Sequence, residues 1–239
     1  MTKAFEEIAY SRTPMGDLTL RRRKLPTQEH DIFEIKLGDE FLMSSLFTES
    51  ESALADMALQ EFGGDALDVV VGGLGLGYTA ASVLQNRRVR SLCVVETFPE
   101  VIEWHRKNVV PLGGVLTADA RCRFVQGDFF AIFGVPLREG DAGIGGQKFH
   151  AIVLDIDHSP RCLLSLGHAV FYTQDGLRSL ATRLHPGGIF ALWSNDQPDD
   201  DFLGTLRDVF GTCEAKVVTF HNPLQDRKAE NTIYIAHRA

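Results

Sequence analysis

The chain has 239 residues, of which 44% are hydrophobic and 23% charged, with a net charge of −8; this is enough for one large domain, or a domain with a small appendage. The acidic balance argues against a nucleic-acid partner, because phosphate binding is driven by Lys and Arg, and no apolar run reaches the roughly 18 residues of a membrane span. Met1 to Tyr10 holds two glutamates and no signal-peptide core, and Cys93, Cys122, Cys162 and Cys213 form neither a CxxC pair nor zinc-ligand spacing with a histidine, so the expectation is a soluble, cytoplasmic protein with reduced thiols and no metal.

The first 48 residues read as a β-hairpin region. Gly16-Asp17 precedes Leu18-Thr19-Leu20, and Gly38-Asp39 separates an apolar run over 32–37 from another over 40–43; turn residues between such runs predict short antiparallel strands. From Glu49 to the C-terminus the pattern is α/β. Leu54, Met57, Ala58 and Glu61-Phe62 recur at helical spacing, with Gly63-Gly64 as the stop. Strands are then expected over 67–71, 91–95, 121–125, 149–154 and 189–193. Helices are expected over 78–84, 99–108, 129–133, 174–184 and 202–210, with His185-Pro186-Gly187-Gly188 closing the fourth. Residues 134–147 contain five glycines and little periodicity, and read as a surface loop.

Alternating strands and helices predict a mostly parallel sheet covered on both faces. The last two strands, over 215–220 and 231–236, are joined by ten residues without a helix. A parallel crossover needs a helix's worth of chain, so this pair is expected to be antiparallel. A seven-stranded, mostly parallel sheet with an antiparallel last strand is the Rossmann-like class I methyltransferase fold, here with the N-terminal β-hairpin region added.

Four acids or glycine clusters fall at strand ends, where the crevice of such a sheet binds ligands. Gly72-Gly73-Leu74-Gly75-Leu76-Gly77 joins the first α/β strand to its helix, where glycine allows a tight turn and the helix N-terminus offers free N–H groups. Gly75 to Ala80 also satisfies a dinucleotide fingerprint. Glu96 ends the next strand, placed to accept from ribose hydroxyls of either NAD or S-adenosylmethionine. Asp128 follows the third strand, placed to accept from an adenine amino group, and Asp155 ends the fourth, followed by Asp157 and His158. The terminal hairpin and Asp128 favour S-adenosylmethionine over NAD, and the N-terminal region is too small for a dehydrogenase's second domain.

With these motifs the chain resembles the spermidine synthase-like branch of the class I S-adenosylmethionine-dependent methyltransferase superfamily. The resemblance implies that Gly72, Gly73, Gly75, Gly77, Glu96, Asp128 and Asp155 bind S-adenosylmethionine or its decarboxylated form. It also implies that Asp155 handles the acceptor nucleophile, with Asp157 and His158 as further catalytic candidates. Two departures stand out. The family's GGGDGG loop has an aspartate that grips the donor's aminopropyl ammonium, where this chain has Gly75. Its DSSDP motif is represented by Asp155-Ile156-Asp157-His158-Ser159-Pro160, and its N-terminal Gln, Tyr and His have no clear match in 42–47. The expectation is therefore an S-adenosylmethionine-dependent small-molecule methyltransferase. Polyamine aminopropyl transfer and a non-catalytic ligand-binding homologue are the alternatives. The expected partners are a small-molecule acceptor such as an amine and a second copy of the chain in a homodimer.

Overall fold

The computed structural model describes residues 5–25, 30–60, 62, 64–136 and 143–239. Glu61 and Gly63, expected at the end of the first helix, and residues 137–142 of the glycine-rich loop lie outside this set.

The N-terminal region is a four-stranded antiparallel meander, β1 (Phe5–Thr13), β2 (Gly16–Arg23), β3 (Ile32–Leu37) and β4 (Glu40–Ser44), paired in chain order. Leu18, Leu20, Ile35 and Leu37 are buried on it. They share one core with Leu54, Ala55, Ala58 and Leu59 of α1 (Glu49–Gln60) and with one face of the larger sheet. The meander is thus fixed to the body of the protein by apolar contact, the main driving term for such docking.

The larger sheet has seven strands: β5 (Leu67–Gly72), β6 (Val89–Glu96), β7 (Cys122–Gln126), β8 (Phe149–Leu154), β9 (Leu184–Ser194), β10 (Thr212–Asn222) and β11 (Arg227–His237). Their order is β10-β11-β9-β8-β5-β6-β7. Every residue of β5 is buried, as a central parallel strand requires. Val69 and Val71 face one core and Val70 the other, and the same alternation sorts Leu92 and Val94 from Cys93 and Val95 on β6. The strands from β5 to β9 pair parallel, while β11 is antiparallel to both β9 and β10, as the helix-free connection predicts.

The helices of this half are α2 (Tyr78–Gln85), α3 (Pro99–Arg106), α4 (Gly113–Ala118), α5 (Phe129–Phe133), α6 (Gln174–Ala181) and α7 (Asp200–Phe210). From β5 the chain winds outward through β6 and β7, then returns to place β8 on the other side of β5. Strand order reverses there, so loops after β5 and β8 diverge and leave a crevice at their carboxyl ends.

Three expectations need correction. The helix expected over 174–184 stops at Ala181, and His185-Pro186-Gly187-Gly188 belongs to β9 instead of following a helix. Between the pairs Phe149↔Leu184 and Ala151↔Ile189 the longer strand bulges, and Gly187 supplies a left-handed φ of 73°. Helix α4 and a 3-10 turn at Leu166–Val170 were not expected; both are too short to show a period in the sequence. Strand β1 also extends the meander beyond the hairpins that turn residues alone indicate.

Candidate functional site

The glycine loop follows β5 directly. Gly73, Gly75 and Gly77 have φ of 94°, 47° and 93°. A β-carbon at Gly73 would overlap the Asp155 carbonyl, so this position is closed to any side chain. At Gly75 the obstacle comes from the other sheet: the Met43 sulfur of β4 would lie 2.9 Å from a β-carbon there. The same sulfur is 3.2 Å from the Leu76 N–H. His105 of α3 is fully buried and lies with Nε2 3.0 Å from the Gly75 carbonyl. Burial lowers its pKa, favouring a neutral ring that donates this hydrogen bond. The loop is held from both sides before any ligand arrives.

Glu96 closes β6 and is buried. Its Oε2 accepts from the Leu74 N–H at 3.0 Å and its Oε1 from the Phe98 N–H at 2.8 Å. Burial raises its pKa, opposed by these backbone donors. The backbone N–H groups of Gly75 and Thr97 also act on this carboxylate. Asp128 is the N-cap of α5: its Oδ1 accepts from the N–H groups of Phe130 and Ala131, at 2.9 and 3.2 Å. It is both a helix cap and a cavity residue.

Asp155, at the end of β8, receives a hydrogen bond from the Thr79 hydroxyl of α2 at 2.6 Å. Surrounding protein pushes its pKa up to about 6. Its electrostatic partner is Glu51 of α1, 9% exposed and pushed up to about 8, first by burial and next by the charge of Asp155. A short chain of hydrogen bonds backs Glu51: Trp193 Nε1 donates to Ser50 Oγ at 3.0 Å, and Ser50 Oγ donates to Glu51 Oε2 at 2.8 Å.

These groups meet in a cavity of about 420 Å³. Of the predicted site residues, Gly73, Gly75, Glu96, Asp128, Asp155 and His158 line it; Gly72, Gly77 and Asp157 do not. Gly72 and Gly77 instead permit close packing: a β-carbon there would lie 2.6 Å from the Phe129 ring and from Leu116 respectively. Asp157 is 1% exposed behind the wall, where it bonds Leu164, His168 and Tyr172. His158 Nε2 is 3.5 Å from Glu40 of β4. Trp193 lines the cavity, whereas Trp104 is in the core. Among the described residues no group of three or more His, Cys, Asp or Glu is arranged to hold a metal ion.

Sequence reasoning missed Glu51, Met43, His105 and His168. Glu51 had a legible signal, since it shares the α1 stripe of Leu54, Ala55 and Ala58, and an acid on an apolar stripe costs free energy unless partnered. Met43 and His168 had none, because their contacts are with residues far along the chain.

No protein-family model matches the sequence, and no curated protein matches it. Solved structures do. A spermidine synthase in complex with the transition-state analogue AdoDATO superposes with a TM-score of 0.70 and 17% identity, over 98% of this chain and 74% of that one. The chain has the spermidine synthase fold. A spermidine synthase from Thermotoga maritima matches equally well, with a TM-score of 0.70 and 14% identity over 98% of this chain and 72% of that one. With 98% of the chain covered, the likeness takes in the N-terminal meander together with the seven-stranded sheet, as the resemblance in the sequence implies.

Proposed function

We propose that this protein transfers an alkyl group from an S-adenosyl donor to an amine, in the manner of aminopropyl transfer from decarboxylated S-adenosylmethionine. The observation that supports it is the pair of buried carboxylates, Glu51 and Asp155, in the cavity beside the glycine loop. Two such groups disfavour each other's charge, and a cationic amine relieves both costs. The spermidine synthase fold agrees with this reading.

The site fits an S-adenosyl donor. The left-handed glycines bring bare backbone to the cavity that Glu96 and Asp128 also line, and in this reading Glu96 accepts from the ribose hydroxyls and Asp128 from the adenine amino group. When bound, the donor supplies a sulfonium-activated carbon that leaves behind a neutral thioether. Asp155 orients the amine and takes its proton, and a pKa near 6 suits a base working at neutral pH. Glu51, which keeps its proton at pH 7, leaves that charge to Asp155. Thr79 sets the rotation of the Asp155 carboxyl. His158 stays the further catalytic candidate on the cavity wall, while Asp157 acts only through its neighbours.

A second reading, methyl transfer from S-adenosylmethionine to a small molecule, is favoured by Gly75: the loop presents no carboxylate to an aminopropyl ammonium, and Met43 occupies the adjoining space. Calorimetry with both donors separates the two. Tighter binding of the decarboxylated donor, with mass-spectrometric detection of an aminopropylated amine, is expected for the first reading. A clear preference for the carboxylated donor removes it. The reading extends to a homodimer paired through the exposed edge strand β1, where Phe5 and Tyr10 face solvent; a monomeric mass by light scattering contradicts that part.

A further inference from the structure

Behind the cavity wall Asp157 organises a second polar cluster that the proposed reaction leaves unused. Its Oδ1 accepts from the Leu164 N–H at 2.8 Å and lies 2.8 Å from His168 Nδ1, and its Oδ2 accepts from the Tyr172 hydroxyl at 2.9 Å. In the neutral ring, Nδ1 facing a carboxylate oxygen carries the proton and donates it, and Nε2 is then an acceptor. A second restraint acts on the same ring. His168 stacks on Phe130, with centroids 3.8 Å apart and planes 21° from parallel. The stack sets the plane of the imidazole and the hydrogen bond sets its rotation within that plane. A histidine in a short exposed turn, between Leu166 at 91% and Val170 at 66% exposure, is thereby immobilised where it forms part of the cavity wall.

The same cavity is lined by Phe130, on which the ring stacks, and by Asp128, whose Oδ1 accepts from the Phe130 N–H. This end is rich in apolar surface, and a fixed acceptor there is best satisfied by a ligand donor. We infer that His168 is a base-reading residue: its Nε2 accepts a hydrogen bond from the exocyclic amino group of an aminopurine ligand. Asp157 and Tyr172 are the positioning residues that hold the ring for this contact. The inference rests on the proposed S-adenosyl donor. An amino group has two hydrogens, so Asp128 Oδ2 and His168 Nε2 each take one. A 6-oxopurine would set its carbonyl lone pairs against both acceptors, which is why the pair discriminates between bases.

The test is titration calorimetry of the full chain with 5′-methylthioadenosine and 5′-methylthioinosine, which share the sugar and thioether and differ in the 6-substituent and in N1, an acceptor in the first and an N–H in the second. The wild type is expected to prefer the amino form by more than about tenfold. His168→Phe keeps a ring against Phe130 but removes the acceptor, and should reduce the preference by about tenfold. His168→Gln, with a carbonyl acceptor, should restore part of it. Each preference is a ratio measured within one variant, so a partly unfolded preparation does not imitate the effect. If 5′-methylthioadenosine fails to bind the wild type, the donor reading and this inference fall together. If it binds and His168→Phe keeps the wild-type ratio, only the role of His168 is overturned.

Discussion

The Thr79 hydroxyl donates to Asp155 Oδ2 at 2.6 Å, tying the first turn of α2 to the end of β8 across the mouth of the crevice. This bond stabilises the ionised carboxyl and opposes the burial that raises its pKa to about 6. Thr79→Val removes the donor at nearly constant shape. The acid limb of the transfer rate against pH should then move upward by about one pH unit, and a limb in the wild-type position would exclude Asp155 as the base.

Glu51 links the site to stability. Its folded pKa, pushed up to about 8, lies above the ordinary glutamate value, so the folded protein binds this proton more tightly than the unfolded chain. Its contribution is therefore complete at acid pH, below the unfolded pKa, and is lost as pH rises through 8. Glu51→Gln should flatten the fall in melting temperature between pH 6 and pH 9, by about 2–4 °C for each kcal/mol recovered. Thermal unfolding at the two pH values checks this, and parallel slopes for both proteins would refute it.

Gly73 has no room for a side chain, since its φ is 94° and the Asp155 carbonyl occupies the space of a β-carbon. Gly73→Ala should destabilise the fold by about 2–4 kcal/mol and abolish binding of 5′-methylthioadenosine. Chemical denaturation and calorimetry report the two effects separately; wild-type affinity in a folded Gly73→Ala protein would show that the loop does not touch the ligand.

Donor choice should be switchable at Gly75. An aspartate tolerates the φ of 47° better than most residues, but the Met43 sulfur stands 2.9 Å from where its β-carbon must go. Gly75→Asp alone should weaken donor binding. Gly75→Asp with Met43→Ala should favour decarboxylated S-adenosylmethionine over the carboxylated form by about tenfold relative to the wild type. Equal gains for both donors, measured by calorimetry, would show that position 75 does not face the donor's tail.

Much of this architecture was legible in the residues themselves. The runs at 67–71, 91–95 and 149–154 could be read because buried parallel strands are apolar on both faces over most of their length, broken here only by Asp68, Ser91 and His150. The closing hairpin was legible because too little chain separates its strands for a crossover. The acids Glu96, Asp128 and Asp155 stood out because each follows such a strand. The segment at 185–188 misled because its proline and glycines mark a turn locally, while in the fold they are accommodated as a bulge in a strand paired on both sides.

What the sequence determined by itself was thus the local geometry: where backbone must turn left-handed, where strands are buried, and which carboxylates lie at their ends. Only the tertiary structure decided what those groups meet. Glu51 faces Asp155 across about a hundred residues of chain, Met43 of the small sheet sits on Gly75, and Asp157 turns away from the cavity to hold His168. Backbone preferences act over a few residues and leave a pattern in the sequence. Electrostatic coupling and steric exclusion act through space, and these pairings emerge only when the meander, α1 and the loop after β8 close over the same crevice.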